Sequence, residues 1–313
     1  MSDMTLHITN GSNLTEYLKD LDFKGDFLTW HEILCEGPTT TRIDSKEFIK
    51  TRQAFLNTYY NIEIDEYDLK NEIEKLEAIA NYSEIVLWFE YDLFCHINAI
   101  AVISLLQQKR ITQPLYFVCS GRIKGEKDLK GLGELSPEEL LKHYKEKIKL
   151  EENDIEIATG VWEIYCGKDH NLLKPMIQKS SNFKYLNSCL KAHLERFPDS
   201  KNGLSRLEFH ILKTVQKQTI KSKHHLLGCI LNYQGYYGFG DIQIKRIIET
   251  LSEFFETKDT HLRLSRKGHE ALLGRKNFSK ELNNNMTYGG SRRLDFQFNS
   301  KENKLIKTVF NGH

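Results

Sequence analysis

Over the first 120 residues, short unbroken apolar runs alternate with stretches whose apolar residues recur every three or four positions. The runs read as strands and the periodic stretches as helices packed by one face. Leu6-His-Ile-Thr9, Phe27-Leu-Thr-Trp30, Ile85-Val-Leu-Trp-Phe89 and Leu115-Tyr-Phe-Val-Cys119 are the predicted strands. Helices are predicted over 14–21 and 45–60, and from about residue 66 with Leu69, Ile73, Leu76 and Ile79 on one face. Another carries Ile97, Ile100, Ala101, Leu105 and Leu106. An apolar run without alternation suits a strand buried on both faces. The pattern therefore predicts an α/β, Rossmann-like parallel sheet domain over 1–135.

Ser136-Pro-Glu-Glu139 has the layout of a capping box with proline in the first turn. It opens a helical connector predicted over 136–202, bounded by Pro198-Asp-Ser-Lys-Asn-Gly203. Helices follow at 205–215 and 222–233, and a third, capped by Asp241, runs through residue 255. Thr260-His-Leu-Arg-Leu264 alternates as a strand before a short helix from Ser265. This order predicts a basic winged-helix-like domain over 203–313, with Gly235-Tyr-Tyr-Gly-Phe-Gly240 as the turn before a recognition helix.

A chain of 313 residues calls for more than one core. No apolar run reaches the ~18 residues that span a bilayer, and Met-Ser-Asp-Met lacks a signal-peptide layout. Six scattered cysteines show no metal-site spacing and read as reduced thiols. A cytoplasmic protein without membrane contact is expected. The net charge of +1 conceals a division: residues 206–313 hold 19 basic and 10 acidic side chains, and the rest holds 25 and 33. That split points to nucleic acid, through Lys245 and Arg246 on the recognition helix and Arg263, Arg266 and Lys267 around the wing. Tyr233, Tyr236 and Tyr237 are candidates for base stacking. The same charges equally suit docking onto the acidic part of the chain or onto another protein.

The candidate chemistry gathers where strands end. Ile85-Val-Leu-Trp-Phe-Glu-Tyr-Asp-Leu-Phe-Cys-His96 passes from an apolar run to two carboxylates and an imidazole. Such residues fall at the carboxyl edge of the sheet, where α/β proteins hold ligands. Glu90 is the candidate general base or metal ligand, with Asp92, Glu32 and Glu36 in support. Grouped carboxylates suit a divalent cation. The competing assignment has Asp92 capping the next helix and Glu90 paired with an arginine. Asn10, Gly11 and Ser12 are placed to hold a phosphate at a helix start, and His96 shares a helical face with Asp92. Neither a Gly-x-Gly-x-x-Gly nor a Gly-Lys-Ser/Thr motif occurs here, which argues against dinucleotide oxidoreduction and P-loop hydrolysis. His7, inside a strand, is expected in the core. The leading expectation is a site for a phosphorylated or nucleotide-type ligand. The alternative is a non-catalytic regulator or docking module acting through the basic domain.

His7-Ile-Thr-Asn-Gly11, Trp30-His-Glu-Ile-Leu-Cys-Glu-Gly-Pro38, Leu87-Trp-Phe-Glu-Tyr-Asp-Leu-Phe94, Gly131-Leu-Gly-Glu-Leu-Ser-Pro137, Arg196-Phe-Pro198 and Gly203-Leu-Ser-Arg-Leu-Glu208 together resemble the bacterial domain-of-unknown-function family 1835. The likeness extends more weakly to Tyr288-Gly-Gly290 and departs from the family pattern at His31 and at Cys95-His96. It implies a family and a fold, and no reaction.

Overall fold

The four apolar runs become neighbouring strands of one sheet. The computed structural model describes residues 4–63, 66–123, 125–282 and 284–308, without the side chains of 66–69, so the predicted place of Leu69 lies outside it. In chain order come β1 (Thr5–Asn10), α1 (Ser12–Asp20), β2 (Asp26–Trp30), β3 (Gly37–Pro38), α2 (Lys46–Tyr60) and α3 (Glu66–Glu74). Then follow β4 (Glu84–Trp88), α4 (Leu93–Gln108), β5 (Leu115–Val118), α5 (Pro137–Lys145) and β6 (Ile148–Lys149). The sheet order is β2-β1-β4-β5-β6. The first four strands are parallel, consistent with a Rossmann-like core. β6 is antiparallel to β5, so the sheet is mixed and reaches beyond residue 135 into the stretch read as wholly helical. Its two residues are too few for a periodicity signal.

β4 explains why an unbroken apolar run was needed. Ile85, Leu87 and Phe89 join the large core with α4, whereas Val86 and Trp88 join Leu14, Leu18 and Leu140 on the opposite face. Each such side chain contributes roughly 1.5–3 kcal/mol by leaving water. α4 is buried all round, with 13 of its 16 residues inaccessible, which makes it a central helix. His7 is fully buried, accepting from Trp88 Nε1–H at 3.1 Å and donating to the Lys24 carbonyl at 3.1 Å.

Ser136 and Glu139 form the expected capping box. The connector continues as α6 (Glu152–Cys166), α7 (Leu173–Ile177) and α8 (Leu186–Leu194), with α6 and α8 against α4. The turn at 198–203 is no solvent-exposed linker: Asn202 accepts from Phe278 N–H, and Ser200 N–H donates to Phe298. Next come α9 (Arg206–Lys217), α10 (Lys223–Asn232), α11 (Asp241–Thr250), β7 (Phe255–Lys258), β8 (His261–Leu264) and α12 (Arg266–Leu272). β7 and β8 pair antiparallel, and Ile220 adds a bridge to Leu262. Gly240 rather than Asp241 is the capping position of α11.

The last segment returns to the front of the molecule. It forms β9 (Thr287–Gly289), β10 (Ser291–Arg292), β11 (Phe296–Asn299) and β12 (Lys304–Lys307), and β9 pairs parallel with β3. These strands have two to four residues and went unpredicted. Among the described residues no helix is long and apolar enough to cross a membrane.

Candidate functional site

β1 pairs with β2 on one side and β4 on the other, so the carboxyl ends of β1 and β4 flank a topological switch point. Asn10 ends β1, and Glu90 follows β4. Gly11, at φ 92° and ψ 157°, turns the chain into α1, a conformation that a side chain would strain. α1 has no side-chain cap, and Ser12 at its start is exposed, as is Asn13. Its first amides therefore lack the side-chain acceptor that most helix starts carry. Asn10 is held by the core: its Nδ2–H donates to Cys95 Sγ at 3.1 Å, and its Oδ1 accepts from Asn98 at 2.8 Å.

Glu90 and Asp92 stand beside this turn, on the short link between β4 and α4. Asp92 caps α4, accepting from Cys95 N–H at 2.7 Å. Among the described residues Glu90 has no arginine partner. Its Oε1 accepts from Leu132 N–H at 2.7 Å and Gly133 N–H at 3.4 Å, so the Gly-Leu-Gly loop is tied to it. Burial, and after it the charge of Asp92, pushes the Glu90 carboxyl up to about 7. Burial pushes Asp92 up to about 6, against the opposing effect of the Cys95 amide. One ligand atom from each of Glu90, Asp92 and Cys95 lies within 4.8 Å of the others. Two carboxylate oxygens suit Mg²⁺, which commonly takes one or two carboxylates and completes its shell with water and phosphate. The Cys95 sulfur adds little, since burial holds its thiol well above the usual range.

The site is roofed by the basic third of the chain. Leu93 N–H and Phe94 N–H, at the start of α4, donate to the carbonyls of Tyr236 and Tyr237 at 2.7 and 3.2 Å. Gly238, at φ 66°, rests directly on Asp92: a Cβ there would fall 2.0 Å from the carboxyl carbon. A cleft of about 360 Å³ runs alongside, with Tyr91, Leu129, Tyr233 and Gly238 among its walls.

Glu32 and Glu36 follow β2 at the same edge, yet they do not join Glu90 and Asp92 in one hollow. Glu32 is paired with Arg52 at 3.0 Å, both side chains buried. Arg52 also donates to the carbonyls of Ile33, Glu36 and Pro38 at 2.9, 2.8 and 3.1 Å, which fixes the loop. Glu36 is paired with Arg246 at 2.7 Å and accepts from Tyr60 and Gln243. The expected supporting carboxylates are therefore neutralised structural pairs. His96 also turns away. Its ring packs edge-on to Phe117, its Nδ1–H donates to the Asp92 carbonyl at 3.0 Å, and burial pulls it down to about 4.

The cations expected to contact nucleic acid are mostly engaged. Arg246 holds Glu36, Arg263 lies 3.3 Å from Asp259, Arg266 lies 2.9 Å from Glu270, and Lys267 faces Glu253 and Glu281. Lys245 is exposed and, among the described residues, has no carboxylate partner. The start of α11 faces inward, with Gln243 buried and donating to Glu36 Oε2 at 3.2 Å. That end cannot enter a groove in this arrangement, because the α/β domain already covers it.

Several residues that shape the site escaped the sequence reading. Asn98, fully buried on α4, donates to Asn10 and to the Glu32 carbonyl and accepts from Leu34 N–H at 3.3 Å. A lone asparagine inside an apolar helix was the available signal. His193 accepts from Arg196 and donates to His170 at 2.8 Å, and His170 donates to the Tyr165 carbonyl at 2.9 Å. This one-way chain keeps both imidazoles neutral, and no spacing rule foretells it. No protein-family model matches the chain, and no curated protein matches it.

Proposed function

We propose that the carboxyl edge of the sheet binds a phosphorylated or nucleotide-type ligand together with a divalent cation. One observation carries this reading: Glu90 and Asp92 sit at the switch point without a cationic partner among the described residues, beside a helix start that has no side-chain cap. A phosphate over α1 would be repelled by two adjacent carboxylates unless a cation lay between them. Ligand and cation therefore belong together, as in sites where carboxylates hold Mg²⁺ through substrate phosphates. Asn10 and Gly11 orient the anionic part. Glu90, whose carboxyl is poised near neutrality, serves as general base or cation ligand, and Asp92 supports it. Membership of the domain-of-unknown-function family 1835 and a cytoplasmic location belong to the same proposal.

The test is calorimetry with Mg²⁺ or Mn²⁺ and a nucleoside phosphate panel on wild type, Glu90→Gln and Asp92→Asn. Binding that falls at least tenfold in folded variants supports the reading. Unchanged ligand and metal binding overturns it.

A second reading concerns the basic third. The order α9, Ile220 bridge, α10, α11, β7, β8 supports a winged-helix-like domain. The buried Arg246–Glu36 pair favours its use as a docking module on its own α/β domain over nucleic-acid binding. Duplex binding by the whole protein that weakens steeply with salt would reverse that preference.

A further inference from the structure

A second cleft, of about 410 Å³, lies where the connector meets the basic third of the chain. Its walls come from α8, from the start of α9 and from the glycine-rich stretch before α11. α8 and its end contribute Lys191 and Glu195, α9 contributes Arg206 and His210, and the stretch contributes Tyr233 and Tyr237. The volume falls within the roughly 300–1,000 Å³ of small-molecule sites.

Two features set this cleft apart from the other cationic surfaces. Arg263, Arg266 and Lys267 all lie within ion-pair distance of a carboxylate. Lys191 and Arg206 have no such ion pair among the described residues, although Glu195 is in the same wall. Burial, and then the charges of Arg206 and Lys213, lower the pKa of His210, which leaves it a neutral hydrogen-bonding group. The wall thus holds two cations against one carboxylate, an excess that suits a small anion. The second feature is aromatic. The Tyr233 side chain is 70% exposed, the most open large apolar surface in the described part of the molecule. An exposed ring beside unpaired cations gives a stacking face and a phosphate-binding end together. Tyr237 is 5% exposed, and among the described residues its buried hydroxyl has no hydrogen-bond partner.

We propose that this cleft binds a mononucleotide-class ligand, a planar heteroaromatic ring stacked on Tyr233 with its phosphate held by Lys191 and Arg206. The cleft borders the one beside Asp92 and shares Tyr233 with it, but it includes none of the sheet-edge carboxylates and requires no metal.

The experiment is titration calorimetry on the full-length protein in EDTA, which removes any cation-dependent binding at the sheet edge. The probes are AMP, UMP, ribose 5-phosphate, inorganic phosphate and an oligonucleotide of ten nucleotides (a length chosen to exceed the roughly 4–16 that a single binding face covers at its lower end). AMP or UMP is expected to bind more tightly than ribose 5-phosphate. Arg206→Gln should weaken that binding about tenfold, and Tyr233→Ala about fivefold or more. Circular dichroism confirms that each variant is folded, and Tyr233→Phe, which keeps the ring, should restore the affinity. Binding of inorganic phosphate as tightly as AMP overturns the proposal, as does indifference to both substitutions. Binding of the oligonucleotide alone overturns it in favour of a nucleic-acid surface.

Discussion

Glu32 and Glu36 are as buried as Asp92, and all three leave the same edge of the same sheet. Their surroundings nevertheless differ in kind. The pair after β2 meets arginines from α2 and α11, and each carboxylate is neutralised where it stands. The pair after β4 meets backbone amides and each other, with no guanidinium or ammonium within ion-pair distance among the described residues. A buried charge must be paired or shift its protonation. The first pair takes the former course and locks a loop. The second takes the latter, which makes Glu90 and Asp92 groups that exchange protons near neutrality. Burial of a carboxylate thus says little about its role until its counterion is known.

The sharpest way to break this comparison is to remove a counterion. Arg52→Met leaves Glu32 buried without its partner and strips hydrogen bonds from three loop carbonyls. A loss of about 3–5 kcal/mol is expected, a large share of the ~5–15 kcal/mol that holds a domain folded. Urea denaturation reads it directly. The double variant Arg52→Met/Glu32→Leu should recover at least half, because the unpaired charge goes with its partner. A single variant that loses under about 1 kcal/mol would mean that Glu32 finds water and that the two pairs are not different in kind.

The sheet was legible because its strands are buried on both faces, which leaves unbroken apolar runs such as 85–89. Glu90 and Asp92 were legible for the same reason: polarity returns where the run ends. What escaped was everything set by chain segments distant in sequence. Arg52 lies 20 residues from Glu32, Arg246 lies 210 from Glu36, and Gly238 packs on Asp92 from the far third of the chain. Periodicity reports the solvent and core faces of one element and carries no information about which element arrives from elsewhere. For that reason the sequence ranked Glu90 first but grouped Glu32 and Glu36 with Asp92 as its support. The charge asymmetry was real, but the basic residues expected on a groove-reading helix are in part spent on the acidic domain itself.

Gly238 offers a smaller perturbation on the other side of the comparison. Alanine there would need a left-handed backbone and would press into a carboxylate fixed as the cap of α4. Gly238→Ala should cost about 2 kcal/mol, the sum of backbone strain and a weakened cap. It should also raise hydrogen exchange at Leu93 and Phe94, whose amides donate to Tyr236 and Tyr237. Gly133→Ala is the control, since a Cβ there meets nothing within 4 Å. Equal exchange in the two variants would show that the glycine-rich stretch does not hold the roof over Asp92.

The most gradual effect separates the pairs by pH. Glu90 has an ordinary value of 4.5, raised to about 7 in the folded protein. As pH rises through that interval the unfolded chain has already released this proton while the folded chain keeps it. The contribution to stability is therefore complete below about 4.5 and is lost as pH passes about 7. Asp92, raised from 3.8 to about 6, acts in the same sense. The buried histidines act in the opposite sense. His170, lowered from 6.5 to about 4, contributes above 6.5 and loses that contribution as pH falls toward 4. Glu90→Gln keeps an acceptor for Leu132 N–H but cannot ionise. It should be close to neutral at pH 5 and stabilising above pH 8, by at most the ~3 kcal/mol that this shift allows, with the acid limb unchanged. Thermal unfolding of both proteins across this range measures the difference. Parallel curves would mean that Glu90 ionises as freely as a solvated carboxylate, and the contrast between the two pairs would then rest on Asp92 alone.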